Sequence, residues 1–372
     1  MSLLQLPSEI ILIIAQYLST QHDIYSLMQI NRQLYHLLQH ILYRYNVKYG
    51  KCSAMLWAAK KGNLGVMKKL LAEGAATNKI GFKIKESRDL WSLSNLYSRF
   101  SPLGSAQNLE DSPLLFAVRE NHEDMVEFLL CELAKDCETP VMLMLQVNET
   151  LATAAVHGYN EIVLRMLSWG ADINFKITRG IKTWTPPLTL AASNGHVETV
   201  MLLLKHGADI RGGSRQDSAL YAAVRGNQTS VARLLLEKGA DPNSIYADLL
   251  SPAAERGDAE MVDVLLSMGP QFQRSLHCRR ALFKAIEGRH EQVTRLLIEK
   301  GGADPKLSDD VSGRSTMRTA IRHDQPNLGL VKLLLEKGVL PDSQDLRLVR
   351  FHGNEELLQL LEEHSDPRQE NT

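Results

Sequence analysis

An alanine followed by a fixed downstream pattern recurs at Ala58, Ala117, Ala154, Ala191, Ala223, Ala253, Ala285 and Ala320, with Val349 in the equivalent place at the end. Most copies carry a small or turn-forming residue four positions on, then a Leu-Leu pair, then Gly-Ala-Asp or a remnant of it. Residues 188–210, LTLAASNGHVETVMLLLKHGADI, show the unit at its cleanest. Successive anchors stand 59, 37, 37, 32, 30, 32, 35 and 29 residues apart, so most intervals fall near 33 and the excess marks insertions. A period in this range describes units that bury a core only by stacking on their neighbours.

Within the cleanest copy, Leu188, Ala191 and Ala192 share one face of a short helix, where small side chains let a neighbouring unit approach closely. Gly195 ends that helix. Val200, Leu203 and Leu204 form the apolar stripe of a second helix, closed by Gly207 in the left-handed conformation. Asp209, like Asp172, Asp241 and Asp304, then sits in a tight turn whose backbone its carboxylate can bond. The pattern resembles the ankyrin repeat. That resemblance implies an all-α solenoid of eight or nine helix-turn-helix repeats joined by short hairpin loops. Asn121, Asn227, Arg289 and Asp324 replace the mid-repeat glycine, and Leu133 replaces the closing glycine of the second copy. Gly226 and Gly288 precede Asn227 and Arg289, so the turn is expected to shift back by one residue there.

Ahead of the repeats, residues 3–45 read as three short helices. Pro7 suits a first helical position and Glu9 follows where a carboxylate meets the positive helix end. Ile10, Ile11, Ile14 and Leu18 recur at helical spacing; Ile24, Leu27, Met28 and Ile30 follow a polar break. Asn31 can cap a third helix carrying Leu34, Leu37, Leu38, Ile41 and Leu42. So short a segment, this rich in Ile and Leu, must dock on something. It either binds a partner or caps the exposed face of the first repeat. The stretch resembles the F-box, through Leu6, Pro7, Glu9, Ile10, Ile11, Ile14 and Leu18, then Asp23, Ile24, Leu27, Ile30, Arg32 and Tyr35. Asn31 stands where many members have Cys. The resemblance implies docking on a Skp1-like adaptor and, through it, a cullin complex, with Leu6, Pro7, Ile10, Ile11, Ile14 and Leu18 as the apolar anchors.

The expected layout is an F-box-like module at 1–46, a first repeat at 52–76, an insertion at 77–111, repeats two to nine at 112–364 and a tail at 365–372. The insertion carries Phe82, Trp91, Tyr97 and Phe100, and a shorter one near 175–185 carries Arg179, Lys182 and Trp184. By family analogy, ankyrin arrays bind proteins along the face made by hairpin tips and first helices. The residues expected to meet a protein substrate are Lys60, Lys61, Trp91, Tyr97, Arg119, His157, Trp184, Asn194, Arg225 and Arg256.

Forty-two basic against 43 acidic residues give a formal net charge of -1, which does not suit a nucleic-acid or membrane-surface binder. Cys52, Cys131, Cys137 and Cys278 match no zinc or disulfide spacing and suit a reducing compartment, cytoplasmic or nuclear. The sequons at Asn148 and Asn227 are therefore expected to go unused. GxSxG, Walker, HExxH and GxGxxG patterns are all missing, so no enzyme, cofactor, metal or small-molecule substrate is expected. His277 beside Cys278 reads as a packed helical pair. Ser101-Pro102, Ser112-Pro113 and Ser251-Pro252 are phosphorylation contexts by dipeptide alone.

Overall fold

The computed structural model describes residues 32–49, 53–75, 112–136, 140–175, 185–211, 218–242, 248–268, 276–308, 313–322 and 327–365. It also describes Thr178, Arg179, Lys182 and Thr183 of a hairpin and, in the N-terminal stretch, Ile10, Ile11, Ile14, Ala15, Ser26, Met28 and Gln29. The chain forms two compact units, Met1–Pro187 and Leu188–Thr372.

In the first unit α1 (Arg32–Tyr49) is followed by α2 (Ser53–Lys60), α3 (Leu64–Ala72), α4 (Pro113–Arg119), α5 (Glu123–Asp136), α6 (Pro140–His157) and α7 (Asn160–Ser168). First helices stack in a row, α2 on α4 and α4 on α6, and α5 packs on α7 behind them. A two-rung antiparallel hairpin follows, β1 (Thr178–Arg179) with β2 (Lys182–Thr183), paired Thr178 to Thr183 and Arg179 to Lys182. It falls in the shorter insertion expected near 175–185.

The second unit carries six copies of the pattern. Its first helices are α8 (Pro187–Ser193), whose opening proline is the last residue of the first unit, α10 (Ala219–Arg225), α12 (Leu250–Arg256), α14 (Leu276–Glu287), α16 (Thr316–Ile321) and α18 (Ser343–His352). Its second helices are α9 (Val197–Lys205), α11 (Thr229–Glu237), α13 (Ala259–Met268), α15 (Glu291–Glu299), α17 (Leu328–Glu336) and α19 (Glu355–Glu362). From α10 to α18 each first helix packs on the next, and α9, α11, α13, α15 and α17 form the second row. The anchors are what lets the rows close up: all eight alanines and Val349 are at most 2% exposed. Burying so small a side chain gains little apolar area by itself, but it brings backbones near enough for the flanking Leu and Val to interlock.

The turns follow the expected chemistry in part. The Asp172, Asp209 and Asp304 carboxylates each accept from the backbone N–H two residues on, at 2.9 Å. Where glycine is replaced, however, the turn does not shift. Asn121, Asn227 and Arg289 themselves take φ values of 57°, 59° and 63°. Gly226 has φ -78° and is needed for space: a Cβ there would be driven into the Ser193 carbonyl oxygen.

Two further departures come from missing stop signals. With Leu133 in place of the closing glycine, α5 runs for 14 residues where the other second helices run for eight to ten. Residues 140–150 then extend α6 to 18 residues, so helix stands where a short hairpin loop was expected. The segment PVMLMLQVNET opens on proline and continues with good helix formers, and nothing in it breaks a helix. At the other end, α18 opens with a reciprocal capping box between Asp342 and Asp345. The insertion at 77–111 and the tail beyond Ser365 lie outside the described residues.

Candidate protein-binding surface

The N-terminal stretch has an apolar cluster of its own: Ile11, Ala15, Met28, Leu34 and Leu38, with Ile41 and Leu42 packed against it. Ile10 is 42% exposed, Ile11 is 5% exposed, and Ile14 is half-buried. Leu6, Pro7 and Leu18 lie outside the described residues. Another side of α1 meets the first repeat. The Asn46 side chain donates to Ser53 Oγ at 3.0 Å and accepts the Ala54 N–H at 3.1 Å, with Asn46 only 1% exposed. Lys69 donates to Gln39 and lies over the Tyr43 ring, and Arg44 pairs with Glu73. α1 therefore joins the N-terminal cluster to the repeats, which is half of what a cap does.

Along the rows, each first helix ends in exposed residues. Lys60, Lys61, Arg119 and His157 are exposed in the first unit, and Asn194, Arg225 and Arg256 are exposed in the second. Trp91, Tyr97 and Trp184 lie outside the described residues. Position does not make these side chains equivalent. Arg256 reaches back to the Val224 carbonyl at 2.6 Å and the Asn227 amide oxygen at 3.3 Å, so it braces the preceding turn. The His157 ring stacks on Tyr159, with centroids 5.4 Å apart. Asn194 donates to the Leu190 carbonyl within its own repeat.

Sequence reasoning missed two features here. One is Trp57, in α2, which is 52% exposed at a position that other copies fill with residues as varied as Phe116, Thr153, Leu190 and Lys284. The other is a set of struts between repeats, made in four copies by a residue at the entry to the second helix. Tyr159 donates to the Arg119 carbonyl at 3.0 Å, and Asn327 donates to the Arg289 carbonyl at 3.3 Å. His122 meets the Lys60 carbonyl at 3.0 Å, and His290 meets the Glu255 carbonyl at 3.1 Å. A polar residue at this place in successive copies was the available signal. Three of these struts satisfy carbonyls left over at first-helix ends, those of Lys60, Arg119 and Glu255, and the fourth reaches the turn at Arg289. His290→Ala should cost about 1 kcal/mol in urea unfolding; an unchanged midpoint would mean that water replaces the bond freely.

Ion pairs bind the second-helix row instead. Arg165 pairs with Glu123 and Glu127, Lys300 with Asp263, and Lys337 with Glu299, whose pKa is lowered chiefly by the hydrogen bond from Lys337. Asn148, within α6, is 5% exposed and accepts the Asp172 N–H at 2.8 Å, so this sequon is buried in a helix against the turn at Asp172. Ser112 is 6% exposed and the Ser251 hydroxyl is sealed from solvent, so neither presents a ready phosphoacceptor. Among the described residues no group of His, Cys, Asp and Glu could hold a metal ion, and no helix is long and apolar enough to cross a membrane.

The models for ankyrin repeats match residues 110–143, 151–246 and 250–345, more than half of the chain. The chain belongs to the ankyrin-repeat family. None of the matched stretches reaches the first 50 residues. Among curated proteins, this ankyrin-repeat chain is 24% identical over 84% of its length to the ankyrin repeat and KH domain-containing protein mask-1 of Caenorhabditis elegans. It is 32% identical over 30% of its length to ankyrin repeat and SOCS box protein 5 of Oryctolagus cuniculus. It spans only 11% and 33% of those two proteins. Among solved structures, the human ASB11 ankyrin repeat domain matches at 21% identity and a TM-score of 0.47, covering 58% of this chain and 98% of that one.

Proposed function

We propose that the chain is the substrate-recognition adaptor of a Skp1-cullin-F-box type ubiquitin ligase, with its N-terminal helices docking on a Skp1-like adaptor and its repeats holding a protein substrate. The observation that carries this reading is the separate apolar cluster at the N-terminus. Ile11, Ala15, Met28, Leu34 and Leu38 bury one another while Ile10, beside them, stays 42% exposed. A small module that closes its own core and still shows an aliphatic residue to solvent suits a helical interface with a few buried anchors. The Leu6-Pro7-x-Glu9 opening supplies the kind of partner. Catalysis belongs to that partner complex, and this chain raises the local concentration of substrate beside it.

The second reading is a protein-binding scaffold whose N-terminal helices only cap the stack. Its support is the packing of α1 on the first repeat through Asn46, Gln39 and Arg44. Pull-down of purified Skp1 by the full chain separates the two. Ile10→Asp and the Leu6→Ala/Pro7→Ala pair should each cut capture at least about tenfold with unchanged thermal unfolding. Capture by neither variant nor the parent chain would leave the scaffold.

A further inference from the structure

We infer that the first-helix face of the unit spanning Met1–Pro187 takes an acidic peptide segment bearing a hydrophobic side chain. Lys60, Lys61 and Arg119 meet its carboxylates and Trp57 meets its apolar group. This rests on the reading of the repeats as the substrate-binding half of the chain.

The first observation is where free positive charge remains. Among the described residues elsewhere in this unit, Arg44 pairs with Glu73, Lys135 with Glu132, and Arg165 with a carboxylate cluster, while Lys69 donates to Gln39 and Lys68 lies over the Phe128 ring. Among the described residues, the Lys60, Lys61 and Arg119 side chains make no such pair, although the backbone carbonyls of Lys60 and Arg119 serve as strut acceptors. They close α2 and α4, two helices packed side by side, and Lys60 and Arg119 hold the same register position. Glu120 is the acidic residue at this end of α4, so the local balance stays positive in a chain whose net charge is -1.

The second observation is Trp57. The Lys61 N–H donates to its carbonyl at 2.9 Å, so the indole lies one helical turn from the Lys61 side chain on the same face. Half-exposed Trp is costly to leave in water and is the residue type that most often anchors a partner. Phe116, half-buried, holds the matching position on α4. An aromatic pair bordered by unpaired cations is complementary to a chain that alternates carboxylates with one apolar side chain. A nucleic-acid strand would need more phosphate contacts than three cations supply. In the second unit the matching positions mix signs, with Arg225, Glu255, Arg256 and Glu287, and Arg256 and Glu287 are engaged within the fold.

The test is fluorescence anisotropy on the full chain with a short labelled peptide of Glu and Asp around one leucine. Binding should weaken with salt. Lys60→Glu/Lys61→Glu should weaken it at least about tenfold, and Trp57→Ala about fivefold, whereas Lys332→Glu, exposed on a second helix of the second unit, should leave it within about twofold. All these residues are exposed, so circular-dichroism melting should stay the same. No binding to the parent chain, equal binding to both variants, or tighter binding of a single-stranded RNA of equal charge each overturns the inference. An Ile10-dependent Skp1 pull-down that survives while the peptide fails to bind overturns this inference and leaves the adaptor reading standing.

Discussion

Gly226→Ala is expected to destabilise the second unit by about 2–3 kcal/mol, although alanine is the better helix former and φ at this position is an ordinary -78°. The penalty is steric. A Cβ at Gly226 would press on the carbonyl oxygen of Ser193 in the preceding repeat, and a backbone oxygen cannot swing aside as a side chain can. The neighbouring Asn227→Gly change should move stability by less than about 0.5 kcal/mol. Glycine relieves the left-handed strain at φ 59° but also frees the unfolded chain, and these effects are similar in size. Urea midpoints of the two variants measure both effects. A tolerated alanine at Gly226 together with a large response at Asn227 would mean that the repeats do not approach as closely as the fold requires.

This pair also shows where sequence reading reached its limit. The period was legible because each copy repeats the same local needs, small residues where rows meet and a Leu-Leu pair behind them, so Ala58 through Val349 were found as a buried series. Which residue of Gly226-Asn227 carries the turn was not legible. Glycine serves equally for positive φ and for close approach, and only the position of Ser193 in the repeat before it decides. The helix at residues 140–150 was missed for a related reason: the period predicts a hairpin, but local propensity wins where no glycine or turn residue stops the chain. At the candidate surface, the register of Lys60, Lys61 and Arg119 could be read from the repeat, whereas the fact that Arg256 is spent on Val224 depends on contacts between repeats. Trp57 is the same kind of case. It lies one residue before a buried anchor, and its exposure is not legible from that position.

Arg318→Ala is expected to cost about 3 kcal/mol at neutral pH, and much less near pH 4. Arg318 donates to Asp345 at 3.1 Å and to Asp342, and Asp345 is 1% exposed at the start of α18. Burial raises the Asp345 pKa above its ordinary 3.8, and the Asp342 N–H and the Arg318 guanidinium only partly offset it. Burial works against the charge on Arg318 as well, but Asp345 and Asp342 outweigh it and push that pKa up. Because the folded state binds the Asp345 proton more tightly than the unfolded chain does, this group favours folding most below 3.8 and loses that contribution as pH rises through its folded value. Taking away Arg318 leaves the carboxylate facing Asp342 without its cation and moves that window further up. The cost cannot exceed that of protonating Asp345, about 1.4 kcal/mol for each pH unit above its new value, so the variant approaches the parent as pH falls. Urea midpoints at pH 4.5 and 7.5 check this. An equal loss at both would assign the effect to the packing of the Arg318 stem instead. Adding Asp345→Asn to Arg318→Ala should then restore stability at pH 7.5, because the amide oxygen can still accept the Asp342 N–H and carries no charge to bury.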